Sequence, residues 1–225
     1  MPPKNPGQSI LENAYKLATP GDNAAYYNAF APTYDTDFVA QMGYQYPKAI
    51  ADAYLRAATP GDTPIADIGC GTGLVAQELA QPDTPIDGMD ISPEMLAAAA
   101  QKSLYRALTI VDLTGPLTHN TYGAVLSSGT FTHGHLGPEP LRGLLDIARA
   151  GALFIIGVNQ HHFKAQGFAS VLDAMVADRA ITPVKLDEIK IYSKPGHDHS
   201  NDRALILQYR KIQRVTGASN TLKCS

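Results

Sequence analysis

Three patterns of residues in this chain could do chemistry. The first is Asp67-Ile68-Gly69-Cys70-Gly71-Thr72-Gly73-Leu74, where an apolar run breaks at an acid, passes closely spaced glycines and resumes as Leu74-Val75-Ala76-Gln77-Glu78-Leu79. That order reads as strand, tight loop, helix. Glycines at such a junction let a ligand approach the backbone, and the free N–H groups at the helix start are ready donors. The second is Asp90, which closes another apolar run about twenty residues beyond the first glycine. At that separation a carboxylate can accept hydrogen bonds from both hydroxyls of a ribose. The third is His133-Gly134-His135, whose imidazoles titrate near neutrality and can take a proton from a hydroxyl, thiol or ammonium.

The glycine spacing decides among nucleotide-type ligands. A dinucleotide fingerprint places Gly or Ala three positions after its second glycine, where helix and strand pack closely, but here that position is Leu74. A Walker phosphate loop needs a following Gly-Lys-Ser/Thr, which is absent. Asp67-x-Gly69-x-Gly71-x-Gly73 instead resembles motif I of the class I, S-adenosylmethionine-dependent methyltransferases. The resemblance implies that Gly69, Gly71, Thr72, Gly73 and Leu74 lie against the methionine half of that cofactor, with Asp67 near its amino group. Gly88-x-Asp90-x-Ser92-x-x-Met95 is similar to the family's next motif, which implies Asp90 on the ribose and Ile91 and Met95 beside the adenine. Asp112-Leu113, at the end of a third apolar run, matches the place where the family contacts the adenine amine.

Two further segments fit the same resemblance. Tyr27-x-x-x-Ala31-x-x-Tyr34-Asp35 is similar to the lead-in of many small-molecule methyltransferases. By that resemblance Tyr27 joins the histidines at the reacting atoms, while Tyr26 and Tyr34 cover the cofactor. Aromatic faces suit a methyl sulfonium because it is positively charged. The stretch Leu126-Ser127-Ser128-Gly129, which brings Ser128 and Gly129 to the cofactor, is similar to the small-molecule class and to the Williams–Beuren-region methyltransferase-like proteins. A small-molecule methyl acceptor is therefore expected, methylated at O, N or S, with His133 the first proton acceptor and His135 the second.

Neighbouring subclasses fit less well. A metal-assisted, catechol-type mechanism would want an acid where Ser127, Ser128 and Gly129 stand, so no metal is expected. The box of nucleic-acid amino-methyltransferases needs prolines in a loop that has none before Pro138. Two other functions stay open on these residues: binding of S-adenosylmethionine or S-adenosylhomocysteine without transfer, and a nicotinamide-dependent oxidoreductase, against which Leu74 argues.

The elements that must position these residues follow from composition and periodicity. With 225 residues and 44% hydrophobic content, the chain can bury one sizeable α/β core. Lys plus Arg (18) nearly balances Asp plus Glu (21), for a net charge of −3, which leaves no electrostatic footprint for nucleic acid. Cys70 and Cys224 support neither a disulfide framework nor a thiolate metal cluster, so a reducing cytoplasm is the expected location. No signal-peptide core or bilayer-length apolar run is present, so no membrane is expected as partner.

Strands are expected over 84–90, 108–111, 124–126 and 152–158 besides the one before Gly69, and a closing hairpin over 189–192 and 205–209. Helices are expected over 9–17, from 23 to about 31, over 37–58, from Ser92 onward, and over 141–150 and 168–177. Pro20-Gly21 is read as the stop of the first helix, and 127–135 as a loop facing the cofactor. Alternating strands and helices predict a doubly wound, mainly parallel sheet, and the resemblance adds seven strands with an antiparallel last one. Residues 1–60 would form an N-terminal helical lid, 61–213 the cofactor-binding core and 214–225 a loose tail.

Overall fold

The computed structural model describes residues 12–14, 17, 19–80, 83–117 and 121–213. Of the expected helix over 9–17, residues 12–14 are helical. The rest of it except Leu17, the expected tail over 214–225 and Cys224 lie outside the described residues.

Seven strands form one sheet in the order β3-β2-β1-β4-β5-β7-β6. They are β1 (Ile65–Ile68), β2 (Ile86–Asp90), β3 (Ala107–Ile110), β4 (Tyr122–Phe131), β5 (Ala148–Asn159), β6 (Lys185–Lys190) and β7 (Arg203–Arg210). Strands β1 to β5 pair in parallel. β7 runs antiparallel to both β5 and β6, as the expected fold class requires.

Sheet position follows from burial. Every residue of β1 is buried, which a strand of Ile, Ala and Ile around one Asp tolerates only with neighbours on both edges and layers on both faces. Its side chains alternate: Ile65 packs with Ile50, Tyr54, Val75 and Leu126 on one face, while Ala66 and Ile68 pack with Val125, Phe154, Phe168 and Met175 on the other. Each buried aliphatic side chain contributes roughly 1.5–3 kcal/mol. Chain order reverses between β1 and β4, and a crevice opens beyond the carboxyl ends of strands at such a switch.

The helices that flank this crevice are α1 (Pro20–Phe30), α3 (Tyr46–Ala57), α4 (Leu74–Leu79) and α5 (Pro93–Gln101), with a short α2 (Ala40–Met42) ahead of α3. α3 is amphipathic: Tyr46, Ile50, Ala53 and Tyr54 are buried, while Lys48 and Asp52 pair across one outer turn at 2.9 Å. α5 starts as its sequence dictates, with the Ser92 side chain accepting the Met95 N–H and Pro93 in the first turn. On the far side lie α6 (Pro140–Gly143), α7 (Gln160–Ala165) and α8 (Phe168–Ala177). No described helix is long and apolar enough to cross a membrane.

Four expectations are corrected. Pro20-Gly21 opens a helix instead of closing one, because Thr19 and Asp22 form a reciprocal capping box around it. The helix expected over 37–58 is interrupted at Gly43, whose φ is +62°. There Tyr44 pairs with Tyr192 and the Gln45 N–H donates to the Ile191 carbonyl. The segment from Ser127 is not a loop until Phe131: β4 continues through a register shift, held by the Ser127 and Thr130 hydroxyls donating to the Ile68 carbonyl at 2.9 and 3.1 Å. The helix expected over 141–150 stops at Gly143, since pairing of β5 with β4 begins at Ala148 and overrides local propensity.

Candidate functional site

The crevice is lined along one side by the turn after β1 and the ends of β2 and β3. Gly71 has a φ of +53°, and a Cβ built there would meet nothing within 4 Å. A side chain at this position would be strained and would project into open space beside the backbone, where a ligand could otherwise lie. The Gly71 N–H is fixed by Asp90, whose Oδ2 accepts it at 2.8 Å, while Oδ1 accepts the Ser92 N–H at 2.9 Å. A carboxylate offers about four acceptor sites, so Asp90 retains capacity toward the cavity that it lines. Burial pushes its pKa up, against the backbone hydrogen bonds from Ser92, Gly71 and Ile91 that favour the charged form.

Gly69, Thr72, Leu74, Ile91 and Met95 line the same cavity, as do Asp112 and Leu113 at its far end and Ser128 and Gly129 across the switch. Asp112 is partly engaged already, its Oδ1 accepting the Thr114 N–H at 2.9 Å and the Thr114 hydroxyl at 2.7 Å. Three residues expected at the cofactor stand back from the wall. Gly73 caps α4, and Tyr26 packs on Phe30 with ring centroids 4.7 Å apart. Asp67 is fully buried behind the loop, its Oδ2 accepting the Tyr105 hydroxyl at 2.7 Å. Its carboxyl is pushed up to about 7, by burial first; the Tyr105 bond opposes this, and the charge on Asp90 adds to it.

The histidines separate. His135 lines the cavity; its Nδ1 lies 2.9 Å from the His133 carbonyl oxygen and its Nε2 3.0 Å from the Tyr27 hydroxyl. The carbonyl can only accept, so Nδ1 carries the proton and Nε2 accepts from Tyr27. Burial pushes His135 down to about 4, so the ring is neutral near neutral pH. The His133 ring instead faces a second, polar pocket with Asn159, His161, His199 and Asp202. There its Nε2 sits 3.0 Å from His161 Nδ1. Among the described residues no group of three His, Cys, Asp or Glu is placed to hold a metal ion.

The other half of the cavity is aromatic. Tyr34, Phe38, Tyr44 and Tyr192 line it in a continuous run, with centroids 5.1 Å apart for Tyr34–Phe38, 5.2 Å for Phe38–Tyr44 and 5.9 Å for Tyr44–Tyr192. Gly129 permits this wall, because a Cβ there would come within 2.6 Å of the Tyr44 hydroxyl. Phe38, Tyr44 and Tyr192 were not singled out in the sequence. Phe38 follows Tyr34 at helical spacing and could have been, whereas Tyr44 and Tyr192 meet only through a bridge between distant segments.

Asp35 was also missed as a working residue. Its Oδ1 accepts the Thr72 hydroxyl at 2.6 Å and its Oδ2 pairs with Lys102 at 2.7 Å. The segment after α1 is thereby tied to the glycine turn and to the end of α5. Asn28 in α1 adds a second tie, accepting the Ser92 hydroxyl at 2.6 Å.

Residues 65–151 match the family model described as "Methyltransferase domain". Over 117 residues, or 49% of this chain, the sequence is 37% identical to human methyltransferase-like protein 27, covering 47% of that protein. It is 32% identical over 92 residues to a dTDP-3-amino-3,6-dideoxy-alpha-D-glucopyranose N,N-dimethyltransferase of Streptomyces fradiae, covering 40% of this chain and 36% of that one. The chain thus matches about half or less of the length of these curated relatives. In three dimensions it is similar to a TehB-like SAM-dependent methyltransferase from Corynebacterium glutamicum, with a TM-score of 0.56 at 20% identity over 83% of this chain and 98% of that one. It is also similar to the cyclase SpnF, with a TM-score of 0.63 at 16% identity over 87% and 98% of the two chains.

Proposed function

We propose that this chain, whose residues 65–151 match a methyltransferase-domain model and whose seven strands form one sheet, transfers a methyl group from S-adenosylmethionine to an O, N or S atom of a small metabolite. The observation that carries the reading is a single cavity at the switch between β1 and β4 with two chemically distinct halves. One half presents the Gly71 turn and Asp90, and the other presents rings and the Tyr27–His135 pair. The open space beside Gly71 and the unused acceptor capacity of Asp90 fit an adenosyl ligand, with Ile91, Met95, Asp112 and Leu113 around its base. Gly73 and Asp67 shape the turn from behind, and Gly69, Thr72 and Leu74 flank it.

When bound, S-adenosylmethionine supplies an activated methyl group on a positively charged sulfur with a good leaving group. The chain therefore has mainly to align, exclude water and hold polar contacts. Alignment of this kind can supply roughly 7–11 kcal/mol, against about 3–5 kcal/mol for a general base. The Asp90-to-Gly71 bond fixes the turn, Tyr34 covers the crevice, and Ser128 and Gly129 form its floor. His135, held neutral, accepts the Tyr27 hydroxyl proton at Nε2 and so leaves the Tyr27 oxygen as an acceptor for the substrate. His133 faces the second pocket and serves this pair through its backbone carbonyl.

Calorimetry with S-adenosylhomocysteine and NAD side by side tests the cofactor assignment; tight binding of NAD alone would overturn it. Replacing His135 by Ala should lower turnover at least 10-fold while leaving S-adenosylhomocysteine affinity intact, and unchanged turnover would make the Tyr27–His135 pair passive. A labelled-methyl screen of metabolite extracts separates transfer from mere sequestration, since a binding protein would retain the cofactor and label nothing.

A further inference from the structure

Resting on that reading, we propose that the methyl acceptor is an apolar amine, bound as its neutral free base against the aromatic wall and released as a methylated ammonium. The wall is assembled from three separate segments, with Tyr34 and Phe38 before α2, Tyr44 at the Gly43 break, and Tyr192 after β6. The face of an aromatic ring is electron-rich, so a wall built of four rings favours a cation and disfavours an anion.

Charge on the cavity wall points the same way. Asp90 and Asp112 are its acidic groups, and no Lys or Arg lines it among the described residues. A carboxylate or phosphate acceptor would leave water for ring faces with no cationic side chain among the described residues to meet it, an arrangement that proteins avoid. A neutral amine meets no such penalty.

The charge balance of the reaction agrees. The amine lone pair forms the N–C bond as the C–S bond breaks, its electron pair stays on sulfur, and the positive charge passes from sulfur to nitrogen. Total charge in the cavity is unchanged across the step, so the surroundings that stabilise the sulfonium also stabilise the product. The surplus proton then leaves the ammonium for water. Transfer to a phenolate or carboxylate would annihilate the charge that these faces favour. Transfer to a hydroxyl would call for a base, and His135, neutral and weakly basic in its buried position, is a poor one. The amine gives up its ammonium proton to water before it binds, so the attack itself needs no base in the cavity.

The test uses the full chain with labelled S-adenosylmethionine and a shape-matched panel: benzylamine and phenethylamine beside benzyl alcohol, phenol, benzoate and benzyl phosphate. The amines should be methylated with a kcat/KM at least 10-fold above any oxygen acceptor. Tyr44→Leu should raise the amine KM at least 10-fold with S-adenosylhomocysteine affinity retained, whereas Tyr44→Phe, which keeps the ring, should recover most of that loss. Preference for an oxygen acceptor, or absence of amine methylation while S-adenosylhomocysteine binds, would overturn the amine assignment alone. An amine KM indifferent to Tyr44→Leu would overturn the role of the wall. Failure of S-adenosylhomocysteine to bind at all would instead remove the cofactor reading beneath it.

Discussion

Asp90 holds the turn and faces the cavity at once, and the two roles share one carboxylate. Its bonds to the Gly71 and Ser92 N–H groups fix both the loop before α4 and the cap of α5, so the ligand meets a preorganised site. Replacing Asp90 by Ala removes charge-assisted bonds, which contribute about 1.5–3 kcal/mol. S-adenosylhomocysteine affinity measured by calorimetry should fall by roughly 10- to 150-fold, and an unchanged value would take Asp90 out of the site. Asp67 acts on stability. Its carboxyl, raised by burial to about 7, keeps its proton in the folded state between roughly pH 4 and 7 while the unfolded chain has lost it. Stability from this group is therefore full below about pH 4 and is lost as pH rises through 7, with a slope of at most about 1.4 kcal/mol per pH unit. Asp67→Asn should unfold in urea with that slope removed, and parallel pH profiles for the two proteins would refute the assignment. These acids were legible in the sequence because strand, glycines and carboxylate are contiguous. The Tyr105 that holds Asp67 was not, since it lies 38 positions away and meets it only after β1 and β2 have paired.

At the scale of elements, Asp35 joins the segment after α1 to the core. The Thr72 hydroxyl and Lys102 both point at it, and its carboxyl is 37% exposed against 22% for the Lys102 side chain. Partial exposure limits such a pair to about 0.5–1 kcal/mol, enough to bias a lid between closed and open but too little to unfold the chain. Asp35→Ala should raise deuterium uptake over residues 20–42 and weaken S-adenosylhomocysteine several-fold through a faster off-rate, while the far helix α8 exchanges as before. Uptake unchanged over 20–42 would show that the segment is held by its rings alone. The central strands were read well from sequence, the sixth, expected over 189–192, runs instead over Lys185–Lys190, and helix interruptions were read poorly, for one reason. An apolar run such as 152–158 must be buried wherever it lies, whereas the break at Gly43 exists because Tyr44 finds Tyr192 across the fold. The early end of α6 likewise reflects a sheet that claims Ala148 for β5. Local periodicity contains neither partner.

Across the whole molecule, one cavity draws on both ends of the described chain. Thr19 and Asn23 before and within α1 line it, as do Tyr192 after β6 and the turns of the central strands. The fold by itself does not choose a reaction, since a cyclase and a methyltransferase are both similar to this chain in three dimensions. Ligand linkage does discriminate, because a molecule that binds only the folded chain stabilises the entire cooperative unit. At one hundred times its Kd, S-adenosylhomocysteine adds about 2.7 kcal/mol. For a domain of this size each kcal/mol moves Tm by about 2–4 °C, so the melt should rise by roughly 5–11 °C. NAD at the same concentration should leave it in place, because Leu74 occupies the position where a dinucleotide turn needs a small residue. At that concentration Asp90→Ala should lose about half to nine-tenths of the S-adenosylhomocysteine shift without losing the melt itself. If the Asp90→Ala protein melts cooperatively and shows the full shift, the ligand is held somewhere other than the crevice between β1 and β4.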